Sequence, residues 1–196
     1  DAIPRTHTAH GQGRSQEAST QMRIHITGTT RGLGKAIKEY ADLRGWNVTA
    51  FDKPIYDLER NVGSFVRADF DVYVNNAYHG WAQTELLYKL WNLNHDRHCR
   101  IINIGSVCAD VLYDRVYPYA IHKMALAEAC RQLQQIDSPC LVTHVKLGRM
   151  DTEMVAHRTG PKMDVAEVAR QIAHVIDMPY GYVMKEITLD NLYLPS

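Results

Sequence analysis

Neither sign of charge is in excess in this chain: 22 lysines and arginines are matched by 22 aspartates and glutamates. A broad basic face that could grip a nucleic-acid backbone is therefore not expected, and no nucleic-acid partner is assigned. No apolar run approaches the roughly 20 residues that a membrane-spanning helix needs, so no membrane partner is expected either. Cysteine is scarce. The four present, Cys99, Cys108, Cys130 and Cys140, form no CxxC pair, which argues against a structural zinc site and a disulfide framework. With no apolar secretory core near the start, free thiols in the cytoplasm are the expected state. Internal repeats are also lacking.

What is present suits one globular unit. The 196 residues are 45% apolar and 22% charged, enough for a single hydrophobic core. Residues 1–21 are rich in Gly, Ser, Thr, Gln and His and show no apolar periodicity. They read as a tag or flexible leader, with His7 and His10 given no metal role. Residues 22–196 are read as the folded domain.

From Met22 onward, short apolar runs alternate with stretches of helical spacing. Strands are expected at Met22–Thr27, Asn47–Phe51, Ile55–Asp57, Asp71–Asn75, Arg100–Gly105, Leu141–Lys146 and Tyr182–Leu189. Leu33, Ala36, Ile37, Tyr40 and Ala41 recur as one helix face, and Gly45 closes that helix. Asn61 is expected to cap a brief helix before Asp69. Further helices are expected at Ala82–Asn92, from Pro118 onward, and through Val165, Val168, Ala169, Ile172 and Ile176. Such alternation is the mark of an α/β fold, a single doubly wound parallel sheet with helices on both faces.

Three groups of residues carry chemistry. Thr27-Gly28-Thr29-Thr30-Arg31-Gly32-Leu33-Gly34 lies between the first strand and the first helix. Glycines there allow a tight turn and a close backbone approach to a pyrophosphate, and the helix amino end offers N–H groups and partial positive charge. Asp52 ends the second strand, where a carboxylate accepts hydrogen bonds from ribose hydroxyls and repels a 2′-phosphate. Arg31 and Lys53 pull the other way. On balance the cofactor is expected to be NAD rather than NADP, with NADP left open. Tyr119 and Lys123 stand four apart at the start of a helix and share a face. An ammonium beside a phenol is expected to lower the tyrosine pKa and make it a general acid/base. Ser106 ends the fifth expected strand 13 residues before Tyr119, where its hydroxyl can hold a carbonyl oxygen.

The glycine loop resembles the TGxxxGxG signature of the short-chain dehydrogenase/reductases, a family of Rossmann-type nicotinamide-dependent oxidoreductases. Further stretches follow in family order. Asp57-Leu58 resembles the pair that contacts adenine. Asn75-Asn76-Ala77 resembles the NNAG motif that lines the cofactor, with Tyr78 in place of the last glycine. Ser106 with Tyr119-Ala120-Ile121-His122-Lys123 resembles the catalytic serine and YxxxK pair. Leu147-Gly148-Arg149-Met150-Asp151-Thr152 resembles the PGxxxT segment, whose threonine contacts the nicotinamide. Asn92 in Leu90-Trp91-Asn92-Leu93 resembles the fourth catalytic residue, with Asn94 as the other choice. The resemblance implies hydride exchange between NAD(P)(H) and a small carbonyl or alcohol substrate, and pairing of two chains as a homodimer. It also implies a shortened lid over Thr152–Asp164, where Glu153, Met154, Val155, His157 and Arg158 name no particular substrate. A dinucleotide-binding regulator without activity would share this fold, but it has no need of an intact Ser106, Tyr119 and Lys123.

Overall fold

The apolar runs become strands in a computed structural model, which describes residues 21–153, 156–157 and 159–191. The leader, apart from Gln21, and Met154, Val155 and Arg158 of the lid lie outside the described residues. Six strands form one parallel sheet: β1 (Arg23–Thr27), β2 (Asn47–Phe51), β3 (Val72–Asn75), β4 (Cys99–Ile104), β5 (Cys140–Leu147) and β6 (Glu186–Leu189). Their order is β2-β1-β3-β4-β5-β6. The chain leaves β1 toward one edge and returns to start β3 on the other side, so a crevice opens at the carboxyl ends of β1 and β3.

Among the described residues four α-helices cover the sheet: α1 (Gly32–Leu43), α2 (Ala82–Asn94), α3 (Pro118–Leu133) and α4 (Val165–Ile176). Leu33, Ile37 and Ala41 of α1 and Val168, Ala169 and Ile172 of α4 join Ile24, Ile26, Val74 and Ile102 in one core. Leu86, Leu87 and Leu90 of α2 and Leu126, Ala129 and Leu133 of α3 join Phe51, Tyr73 and Ile101 in the other. Every residue of β3 and β4 is buried, as central strands covered on both faces must be. Truncating Ile102 to alanine is expected to cost about 2–5 kcal/mol, because a fully buried side chain leaves a cavity; chemical denaturation measures it.

Three local expectations are corrected. Ile55–Asp57 is not a strand: Ile55 ends a turn, and Tyr56 and Asp57 are irregular. Ile55 is 80% exposed, and Tyr56 turns inward to meet Phe51 edge-on with ring centroids 4.8 Å apart. Asn61 precedes a single 3-10 turn at Val62–Phe65, and its side chain caps nothing. The last strand begins only at Glu186, with the preceding four residues irregular. Gly45 does follow α1 in the left-handed conformation expected of it, at φ 70°.

Candidate active site

The glycine loop is held by its own neighbours. Gly28 and Gly32 adopt φ of 73° and 55°, a region that other residues enter at a cost. Gly34 is needed for space instead: a Cβ there would lie 1.9 Å from the Gly28 carbonyl oxygen and 2.6 Å from Asn76 Nδ2. Thr27 Oγ1 accepts hydrogen bonds from the amides of Asn76 (2.9 Å) and Ala77 (2.8 Å). Asn76 Nδ2 donates to the carbonyls of Thr27 and Gly28 at 2.9 and 3.1 Å. Asn75 donates through Nδ2 to Gln83 O and Asn103 Oδ1, both at 2.9 Å. The three residues thus fasten the loop to β3 and β3 to its neighbours.

The loop leads into a helix whose first amides have no side-chain cap and no acidic residue in the first turn. Those N–H groups, with the dipole behind them, are free to meet a phosphate, and this donor set fits the pyrophosphate of a dinucleotide. Thr30 and Arg31 are exposed at this end, whereas the side chain of Leu33 is buried in the core between α1 and α4. Only the backbone of Leu33 can serve a ligand. The Asp52 carboxylate accepts from both the amide and the hydroxyl of Thr29. It does not pair with Arg31, which instead reaches Glu153 at 3.0 Å across the crevice mouth. Thr152 stands beside the loop, its Cγ2 3.6 Å from where a Gly32 Cβ would sit. Asp57 is bound by Lys53 at 3.2 Å; burial pushes its carboxyl up, but the Lys53 hydrogen bond and the Glu59 amide more than reverse this. Leu58 is a buried core residue.

The second half of the site lies at the carboxyl end of β4. Ser106 turns the chain into the 3-10 turn Val107–Asp110, its Oγ accepting from the Cys108 amide at 3.3 Å. Pro118 opens α3, which places Tyr119 and Lys123 on one face. Lys123 Nζ lies 5.6 Å from the Tyr119 ring centroid and 5.3 Å from that of Tyr78. The Tyr78 ring meets Tyr119 edge-on at 4.8 Å, and its hydroxyl is 2.8 Å from His122 Nδ1. So the residue standing where the motif has glycine becomes a wall of the site.

The electrostatics reverse one expectation. Burial pushes the Tyr119 phenol up, with the nearby Cys108 adding to this and a hydrogen bond with Ser106 opposing it. The expected lowering is outweighed, and burial drives the Lys123 amine down as well, to about 7. An amine that gives up its proton more readily is a weaker source of positive field.

Asn92 is not at the site. It is exposed in the last turn of α2, about 14 Å along the helix from the end that faces the crevice. Asn94 is buried, but its Nδ2 donates to Leu90 O and Arg67 O, which ties down the helix end. The side chain that does reach Lys123 is Gln83, at 2.8 Å. Sequence reasoning missed it because a glutamine one residue into a helix carries no motif. Its closeness to Asn75-Asn76-Ala77, eight residues earlier, was the one signal present.

All four cysteines are buried free thiols. Among the described residues no His/Cys/Asp/Glu group could hold a metal ion, and no helix is long and apolar enough to cross a membrane.

No family model and no curated protein sequence matches the chain. Solved structures do. An alcohol dehydrogenase from the archaeon Thermococcus sibiricus, complexed with 5-hydroxy-NADP, is 17% identical with a TM-score of 0.68, covering 86% of this chain and 96% of that one. A short-chain dehydrogenase/reductase from Vibrio parahaemolyticus is 15% identical with a TM-score of 0.69, covering 85% and 98%. The 3-alpha-hydroxysteroid dehydrogenase from Pseudomonas sp. B-0831, complexed with NADH, is 17% identical with a TM-score of 0.69, covering 86% and 95%.

Proposed function

We propose that this chain, which has the fold of the short-chain dehydrogenase/reductases, is a nicotinamide-dependent oxidoreductase that interconverts a carbonyl and an alcohol. The observation that carries this reading is the clustering of Ser106, Tyr119 and Lys123 at the same sheet edge as an uncapped, glycine-bounded helix end. When bound there, a nicotinamide dinucleotide supplies or takes up the hydride.

The chain's own residues do the rest. The amides of the loop and of the first turn of α1 hold phosphate. Ser106 donates its hydroxyl to the oxygen on which charge develops. Tyr119, whose phenol burial keeps protonated, gives its proton to that oxygen in the reductive direction and takes it back in the oxidative one. Lys123 orients its amine toward Tyr119 and steadies a phenolate when one forms. Thr152 closes the crevice beside Gly32. The substrate is a small carbonyl compound, with α2 and α3 as the faces through which two chains pair.

The test is direct: titrate NADH and NADPH by fluorescence, then follow loss of nicotinamide absorbance against a panel of aldehydes, ketones and quinones. Binding without turnover on any substrate would favour the regulator instead, and no binding overturns the reading. NADH is expected to be preferred, because the Asp52 carboxylate closes off the end of β2 to a further negative charge. Asp52→Asn should move the NADPH-to-NADH affinity ratio roughly tenfold toward NADPH, about 1.4 kcal/mol. A wild-type protein strongly selective for NADPH would count against the role given to Asp52.

A further inference from the structure

We propose that Gln83 is the positioning residue for Lys123, holding its amine directly. This rests on the reading of Lys123 given above, but its geometry stands by itself. Gln83 is 2% exposed and Lys123 3%. Gln83 Nε2 donates to the carbonyls of Asn75 at 2.8 Å and Ile104 at 3.0 Å. With both amide hydrogens on carbonyls, Oε1 is the atom left to face Lys123, and it accepts from Nζ at 2.8 Å. Ile104 O accepts a second hydrogen from the same amine, also at 2.8 Å. Asn75 Nδ2 in turn donates to Gln83 O, so the motif that fastens the glycine loop also fixes the glutamine.

The chemistry follows from what surrounds the amine. The titratable groups facing it are Cys108 from the 3-10 turn, His144 from β5, Tyr78 from the loop after β3, and Tyr119 from α3. None is a carboxylate. Keeping a proton on a buried amine therefore falls to two neutral oxygens, Gln83 Oε1 and Ile104 O. Only the first belongs to a side chain. An ammonium has three hydrogens; two are committed here, and the pair fixes the direction of the third. Gln83 stands in the first turn of α2. From there it reaches the amine, so the far end of the helix is not required for the site.

Lysine labelled with ¹³C and observed by NMR in the free protein tests this, with Lys123→Met assigning the resonance. Gln83→Met keeps the length of the side chain and removes the acceptor. It should lower the Lys123 pKa by about one unit, a tenfold loss of proton affinity. Gln83→Glu adds an anion at the same place and should raise it. A Lys123 titration unchanged in either folded variant overturns the proposal, and if one variant fails to fold, the other decides. NADH titration of the wild type runs alongside. Failure to bind NADH would sink the oxidoreductase reading, while the lysine titration would still report on Gln83.

Discussion

Tyr119→Phe should lower turnover by about 10²–10⁴-fold while leaving dinucleotide affinity essentially unchanged. The substitution removes one hydroxyl and keeps the ring, so the edge-on contact with Tyr78 survives. What disappears is the phenolic proton that α3 holds beside Lys123. The loss should appear in kcat and kcat/KM together, as expected for an interaction made in the transition state. Steady-state rates on the best substrate of the carbonyl panel, with NADH binding measured on the same preparation, decide it. Near-normal turnover would remove Tyr119 from the mechanism.

Gly34→Ala is the second large effect. Gly28 and Gly32 need glycine for their backbone angles, but Gly34 does not; its φ is not positive. The obstacle is volume, since a methyl group would overlap the Gly28 carbonyl and the Asn76 amide. Both neighbours are themselves tied into the loop, so neither can move without opening it. The stability cost should reach the upper end of the about 1–3 kcal/mol typical of overpacking. Binding should suffer more, because the displaced carbonyl lies at the mouth of the helix. Thermal unfolding and NADH titration separate the two effects. Tight NADH binding by a folded Gly34→Ala protein would show that the loop is not the phosphate cradle.

Much of this was legible in the residues because the signals were local. The loop, the NNA stretch and the serine with its YxxxK partner each sit where a strand ends or a helix begins, and period and punctuation mark such places. The misses have physical causes. Ile55-Tyr56-Asp57 has β-forming residues, but Pro54 precedes it and lacks an N–H for a ladder, and Tyr56 finds its burial against Phe51 rather than across a sheet. Asn92 resembles the family residue through its neighbours Leu90, Trp91 and Leu93, but a local match does not say which way a side chain faces; Asn92 is exposed near the far end of α2. The tyrosine pKa was judged from one neighbour. Burial is a property of the assembled site, and it acts on the cation and the phenol alike. Gln83 owes its orientation to the carbonyls that take its amide hydrogens, which its nearness to Asn75 in the chain only hints at.

The buried amine also shapes how the whole protein tolerates pH. Lys123 titrates near 7 when folded against a usual lysine value of 10.5, so between those limits the unfolded chain holds the extra proton. Stability should therefore climb with pH across this window, and below about pH 7 the full penalty applies. Replacing Lys123 by methionine should flatten that climb, which urea melts at a series of alkaline pH values would reveal. A laboratory search for heat-resistant variants at neutral pH would find this position among its targets, trading a sturdier fold for an idle site.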